Sequence, residues 1–417
     1  MSGSTNSAPS GGSEAAVAAS AGGPLQGVRV LDLTRLLPGP MCTLYLADLG
    51  ADVVKIEDTR DGDYARSLPT SIGEPRATPT TWYRALNRDK RSLAIDLKSD
   101  GGRDAFFALA RRADVVVEGF RPGVVKTLGI DDASVRAVNP RIVFCSLSGY
   151  GQTGPRAKTA GHDINYLGYA GVLDATGERH GRPALSNLQI ADLLGGAATA
   201  AIAILGALFG AARTGDGRYV DVAMADAVLA HEVIALGALA DAGGVAARGE
   251  DRLTGGVPCY GVYATRDERF VAVGALEAKF WRALCRTIGR EDLVASQFAT
   301  GGEGERVREA LDGVFRTRTR DEWARVFEGV DGCVSPVLSF DEALADPQFA
   351  ARRMVRDVAG TRAFAPPFAL TPPVRRATRN APRHGEHSRD VLREAGYDDD
   401  AIDALVASGA VREEAKR

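Results

Sequence analysis

The segment Ser148–Tyr166, SGYGQTGPRAKTAGHDINY, holds the densest set of residues able to do chemistry. Its glycines at 149, 151, 154 and 161 let backbone come close to a ligand. Asp163 has the side chain of an N-cap, with Ile164 opening a helix, so His162 stands at a loop-to-helix junction. A helix N-terminus disfavours imidazolium, and a neutral imidazole there is a base at pH 7. Asp192 opens the apolar run ADLLGGA. It reads either as a cap or as a carboxylate beside backbone N–H groups that hold an oxyanion. Glu277, in GALEAKFW, falls in a first helical turn, as a dipole partner or as a carboxylate that orients a histidine. Arg88, Lys90 and Arg91 in ALNRDKRSL, with Arg121 and Lys126 further on, form either a local anion patch or a solvated loop edge. Taken singly, each of these residues also has an ordinary structural role.

The elements that position them alternate between strand and helix. VRVLDL (Val28–Leu33), DVVKIE (Asp52–Glu57), SLAIDL (Ser92–Leu97), DVVVE (Asp114–Glu118) and IVFCSL (Ile142–Leu147) are short apolar runs separated by helix-length segments. That order predicts an α/β fold with a parallel sheet covered on both faces. Asp58–Arg84 is a long irregular stretch rich in Pro, Thr and Gly. From Asp163 to Gly244 the pattern is helical, with Arg213–Gly217 as the turn between two helices. CYGVYAT and RFVAVG around a turn at Arg266–Glu268 predict an antiparallel hairpin and a second domain. Helices are expected at Arg306–Phe315, Arg320–Phe327 and Asp390–Glu394, with prolines 366, 367, 372 and 373 between them. Leu193–Ala212 is uncharged for 20 residues, but its Ala and Gly content points to a closely packed buried helix rather than a membrane span.

Composition narrows the classes further. Lys+Arg 51 against Asp+Glu 54 gives a net charge of −3, which argues against bulk nucleic-acid binding. The five cysteines are dispersed with no CxxC pair, so they read as reduced thiols of a cytoplasmic protein with no zinc site. The Ser/Gly/Ala-rich start is expected to be a disordered tail over 1–24, without the basic start of a signal peptide. TRLLPGP after the first strand is not GxGxxG, and no GxxxxGK[ST] or GxSxG occurs.

Six ordered blocks carry a resemblance. GVRVLDLTRLLPGPMCTLYLADLGADVVKIE, NRDKRSLAIDLK, DVVVEGFRPGV, LSGYGQTGP, GHDINY and VAVGALEAKF look like the class III (CaiB/BaiF) family of CoA-transferases and α-methylacyl-CoA racemases. The resemblance implies a Rossmann-like parallel-sheet large domain over 25–222, completed by 345–417. It also implies a smaller α+β domain over 223–344 and an interlocked homodimer. It carries acid/base roles onto His162 and Asp192, with Glu277 supporting the imidazole and acting from the partner chain. It implies CoA contacts at Ile95, Asp96, Leu97 and Lys98, at Gly119, Phe120 and Arg121, and at Gly161, Asp163, Ile164, Asn165 and Tyr166, with Arg88 and Arg91 nearby. CoA enters as part of an acyl-CoA substrate; no covalently bound cofactor, metal, nucleic acid or membrane is implied.

Inverting the carbon α to a thioester needs two groups on opposite faces, each with a working pKa near neutrality. That chemistry suits His162 and Asp192 in the racemase branch. In the transferase branch the same aspartate is a nucleophile that forms an aspartyl thioester. Two departures cut against a plain racemase. The stretch 58–88 is long, and arginines typical of racemases fall on Asp58 and Thr127, so Lys55, Arg60 or Lys126 would substitute. GGVPCYGVY, by contrast, is similar to the racemase segment. The expected function is racemisation, with CoA transfer as the alternative and a non-catalytic acyl-CoA binder as a third reading.

Overall fold

The computed structural model describes residues 22–68, 79–371 and 378–414. Most of the expected tail, part of the irregular stretch after Asp58, and Pro372 and Pro373 lie outside the described residues. In chain order the strands are β1 (Arg29–Leu33), β2 (Asp52–Glu57), β3 (Arg91–Ile95), β4 (Val115–Glu118), β5 (Val143–Ser148), β6 (Tyr219–Ala223), β7 (Tyr260–Ala264), β8 (Phe270–Gly274), β9 (Val334–Pro336), β10 (Val355–Val358), β11 (Thr361–Phe364) and β12 (Val411–Arg412).

Seven of them form one sheet in the order β12-β3-β2-β1-β4-β5-β6. β1 lies parallel to β2 and β4, β2 to β3, and β4 to β5. β12 pairs antiparallel at the edge. All five residues of β3 are buried, as are all four of β4. Burial on both faces is why these strands read as unbroken apolar runs rather than alternating ones. The chain leaves β1 toward β2 and β3, then returns to the other side of β1 at β4. The C-terminal edges of β1 and β4 are thus the switch point of a doubly wound sheet. The α/β class expected from the sequence is what folds.

The contact pattern divides the chain into two compact units, one of residues up to 147, 200–221 and 356 onward, the other of 148–199 and 222–355. In the first, Leu31, Val54, Phe106 and Phe144 share a core with Val391, Leu392 and Ile402, so the C-terminal helices complete it. In the second, β7, β8 and β9 form an antiparallel sheet over Trp281, Leu311, Phe315 and Trp323. This grouping differs from the expected boundaries at two segments, 148–199 and 345–355. Residues 148–199 group with the smaller unit, because the helix Met224–Ala230 packs on the elements that carry His162 and Asp192.

Two local expectations are corrected. The middle region is not wholly helical: Tyr-Val-Asp-Val-Ala forms β6, so the turn at Arg213–Gly217 joins a helix to a strand. The apolar run is a continuous helical stretch, Ala191–Thr214, long and apolar enough by length and composition to cross a membrane. It is only partly buried. Ala200, Ile204, Ala207 and Ala211 are covered, whereas Ile202 and Phe209 are 71% and 66% exposed. The packed face is mostly alanine, with Ile204 as its large side chain, while Ile202 and Phe209 face out.

The basic cluster is also corrected. Arg88 is buried against Asp48, at 2.5 and 2.7 Å, and Arg91 pairs with Asp52 and Glu394. Neither forms a free anion patch. Lys90 Nζ donates to Asp32 Oδ2 at 3.1 Å and to Pro40 O, Thr43 Oγ1 and Asn87 Oδ1 at 2.8–2.9 Å. Lys55 Nζ lies 3.0 Å from Asp63 Oδ2 and donates to Thr34 O. These four charged groups are inaccessible to solvent. Burial alone would raise the Asp32 carboxyl, but Lys55 and Lys90 hold it down to about 2. Buried charges survive only when paired and hydrogen-bonded in this way.

Candidate active site

β5 delivers the chain into the glycine loop. A Cβ on Gly149 would lie 2.4 Å from the Tyr166 ring, and one on Gly161 would lie 2.8 Å from it. Only glycine fits at both places, and Tyr166 closes the loop by donating its hydroxyl to Gly161 O at 2.6 Å. The helix Asp163–Tyr169 follows, and its N-cap is His162 rather than the expected Asp163. His162 is extended, with φ −129° and ψ 178°. Its N–H donates to Asn165 Oδ1 at 3.0 Å, while Asn165 N–H donates to His162 O at 2.8 Å. This reciprocal cap fixes the backbone at His162 and leaves the residue exposed.

The carboxylate of Asp163 does different work. Its Oδ1 accepts the backbone N–H of Asp192 at 3.0 Å. Asp192 is therefore not an N-cap. It is the second residue of a π-helical segment, Ala191–Ala198, capped by Ile190. π segments are rare and recur at functional sites. Gly195 lets this segment lie against the helix Met224–Ala230, since a Cβ there would meet Met224 O at 2.9 Å. Burial raises the Asp192 carboxyl, and the neighbouring Asp163 charge raises it further, to about 7. Burial likewise raises the Tyr166 hydroxyl, with Asp192 adding to it.

The second unit thus brings His162 and Asp192 to one short helix, the first as its cap and the second pinned to its first residue. One part of the expectation fails. Asp192 N–H is taken by Asp163, and Leu193 N–H donates to Gln189 O at 2.9 Å, so neither is free to hold an oxyanion. Glu277 is the exposed N-cap residue of the helix Ala278–Thr287. Its charge acts on Cys333, and among the described residues its side chain makes no hydrogen bond or ion pair with His162.

The expected nucleotide contacts in the first unit lie on loops after parallel strands. Ile95 ends β3 and is buried; Asp96 Oδ1 accepts the N–H of Lys98, which is exposed, with Leu97 half-buried between them. Gly119 and Arg121 are exposed just beyond β4, and Phe120 N–H donates to Glu118 Oε2 at 2.7 Å. Ile164 is 44% exposed. Of the basic residues expected to replace the missing arginines, Lys55 is buried in its pair with Asp63, whereas Arg60 and Lys126 are exposed. The sequence reading passed over Arg35, whose guanidinium sits 3.5 Å from Asp58 and 5.6 Å over the Phe120 ring. Its place directly after β1 was the available signal.

A doubly wound sheet, and an imidazole and a raised carboxyl tied to one glycine-loop helix, define a class before they define a protein. Residues 25–388 match CoA-transferase family III. The chain belongs to that family. It is 34% identical over 402 residues to the human alpha-methylacyl-CoA racemase, covering 93% of this chain and 99% of that one. It is 32% identical over 392 residues to a succinate–glutarate CoA-transferase of Agrobacterium fabrum, covering 89% and 95%. A crystal structure of a CAIB/BAIF family protein from Brucella suis superposes with a TM-score of 0.77 at 30% identity, covering 90% of this chain and all of that one. Both racemases and CoA-transferases are therefore relatives, and the chain is a family III enzyme of CoA-linked chemistry.

Proposed function

We propose that this enzyme is an acyl-CoA racemase that inverts the α-carbon of a 2-methyl-branched acyl-CoA through an enolate. The observation that carries the reading is the 3.0 Å bond from Asp192 N–H to Asp163 Oδ1, which ties a carboxyl titrating near 7 to the helix that His162 caps. An imidazole and a carboxyl raised toward neutrality are the two groups a two-base proton transfer uses. His162 takes or returns the proton on one face of the carbon and Asp192 on the other. The end-to-end likeness to the racemases supports the same reading.

Ile95–Lys98, Gly119–Arg121 and Gly161–Tyr166 would line the CoA. A homodimer, with Glu277 of one subunit supporting His162 of the other, fits an exposed Glu277 and the uncovered Ile202, Phe209, Leu236 and Leu239. A cytoplasmic location fits five unpaired cysteines.

The test is deuterium uptake at the α-carbon from D2O in a panel of acyl-CoAs, with and without a free carboxylic acid. Uptake without the acid supports racemisation. No uptake, together with a hydroxylamine-trappable adduct at Asp192 formed from the acyl-CoA alone and CoA turnover that needs the acid, would establish the transferase instead.

The Asp163 contact gives a sharper expectation. When Asp192 acts as base, kcat/KM should rise with pH through about 7 as that carboxyl ionises. Asp163→Asn keeps an acceptor for Asp192 N–H but removes the charge that disfavours a second carboxylate. The rising limb should then move to lower pH. A midpoint that stays in place would remove Asp163 from the account.

A further inference from the structure

The turn after β1 sits at the switch point of the sheet, where doubly wound folds receive the phosphates of a nucleotide. In such folds the glycine turn and the N–H groups of the following helix make the cradle. Here that cradle is dismantled. The helix Pro38–Asp48 begins Pro-Gly-Pro, so two of its first three residues carry no N–H. Leu36 is held at φ 63°, a left-handed conformation costly for leucine, and its N–H already donates to Asp63 Oδ1 at 3.2 Å. Met41 N–H is bonded to Leu37 O. Little backbone remains to meet an anion.

The side chain of Arg35 stands at that turn. Leu33 of β1 pairs with Glu118 of β4, so Thr34–Arg35 and Gly119–Phe120 leave the sheet side by side. A Cβ on Gly119 would lie 3.8 Å from the Thr34 side chain. Arg35 carries its guanidinium over the Phe120 ring at 5.6 Å, and its side chain is 40% exposed. Its carboxylate partner is Asp58, at 3.5 Å, a distance at the loose end for such a bond. Asp58 is already engaged, because its Oδ1 accepts the N–H groups of Arg60, Asp61 and Gly62. The guanidinium is thus aimed by a ring, held loosely by an acid committed elsewhere, and open to solvent. That arrangement suits exchange of the carboxylate for a phosphate, which a guanidinium binds in bidentate fashion.

We infer that Arg35 receives a phosphate group of the CoA moiety, in place of the backbone cradle that Pro38 and Pro40 abolish. The inference rests on the CoA-substrate reading above and adds a binding residue to it. Arg35 acts on the nucleotide end of the substrate and has no part in the proton transfer.

Binding measured by calorimetry separates the possibilities. The ligands are CoA, 3′-dephospho-CoA and an S-acyl-pantetheine without phosphate, each titrated into the wild type, Arg35→Met and Asp58→Asn. Arg35→Met keeps the stem that packs on Phe120 and should weaken CoA by roughly ten- to a hundredfold. It should leave the S-acyl-pantetheine unchanged. Asp58→Asn keeps the Oδ1 acceptor for the loop but frees the guanidinium, and should tighten CoA a few-fold. Equal weakening of 3′-dephospho-CoA by Arg35→Met assigns the diphosphate, and a smaller effect assigns the 3′-phosphate; both support the inference. If Arg35→Met leaves CoA affinity unchanged, weakens the pantetheine thioester equally, or weakens CoA to the same degree as Asp58→Asn does, Arg35 is a structural partner of Asp58 and the inference falls. Failure of the wild type to bind CoA at all would instead overturn the substrate reading.

Discussion

In the His162→Ala variant, conversion of one epimer of a 2-methylacyl-CoA into the other is expected to fall by about 10²–10⁴-fold, the usual worth of a positioned acid/base group. The loss should be lopsided when followed by NMR in D2O. The epimer whose proton faces the imidazole should stop exchanging. The other epimer should still lose its proton to Asp192 and regain deuterium from the same side, giving exchange without inversion. Asp192→Asn should reverse the pattern. Two variants with complementary defects would identify two bases on opposite faces, since a general structural injury slows both epimers alike. Equal exchange of both epimers by His162→Ala at the wild-type rate would end the two-base proposal. The Asp192 environment suits it to this role, because burial and the Asp163 charge push its carboxyl up to about 7, where it can both take and return a proton at neutral pH.

The largest loss of stability is expected at Lys90. Lys90→Met retains most of the stem volume but strips Asp32 of a charged partner 3.1 Å away inside a site closed to water. Breaking a buried pair costs about 3–5 kcal/mol, and the charge of Lys55 that still faces Asp32 places this loss toward the lower end, to be read from urea or thermal unfolding. The double variant Asp32→Asn/Lys90→Met should recover part of that loss, since the pair is coupled. The variant tests the site as well as the fold. Lys90 bonds to Pro40 O and Thr43, and Asp32 bonds to Thr34, so the lysine holds the turn from which Arg35 projects. A single loss below 1 kcal/mol would mean that water or a rearranged partner solvates Asp32, contrary to the closed geometry described here.

How far the sequence could be read depends on the range over which each feature is determined. The parallel strands were legible because burial on both faces writes a continuous apolar run, visible at Asp52–Glu57 without any partner. β12 was not, because two residues pairing antiparallel with β3 at a distant edge leave no pattern of their own. β6 was hidden by the small-residue helix before it. At the site, the glycine loop and His162 stood out locally, yet the cap was displaced by one residue because aspartate is the stronger capping type. Asp163 gives up that role to hold a residue 29 positions away, a choice only the tertiary fold makes. The run NRDKR read as surface charge for the same reason. Its carboxylate partners Asp48, Asp52 and Asp32 come from earlier segments and Glu394 from a late helix, and nothing in the run names them.

The π-helical turns at 191–198 carry a consequence for how this stretch tolerates change. A wide turn is an α-helix with a residue to spare, and it can return to α geometry only by losing one. Removing a single residue within 191–198 would let the segment close to α geometry with its flanks nearly in phase, whereas removing one from the α-helix Thr199–Thr214 would swing everything on one side of the cut by about 100° about the helix axis. Either the carboxyl would turn away from Asp163, or the packed alanines beyond would rotate out of their seats. The wide turns hold one residue in reserve, and the α-helical turns beyond them hold none.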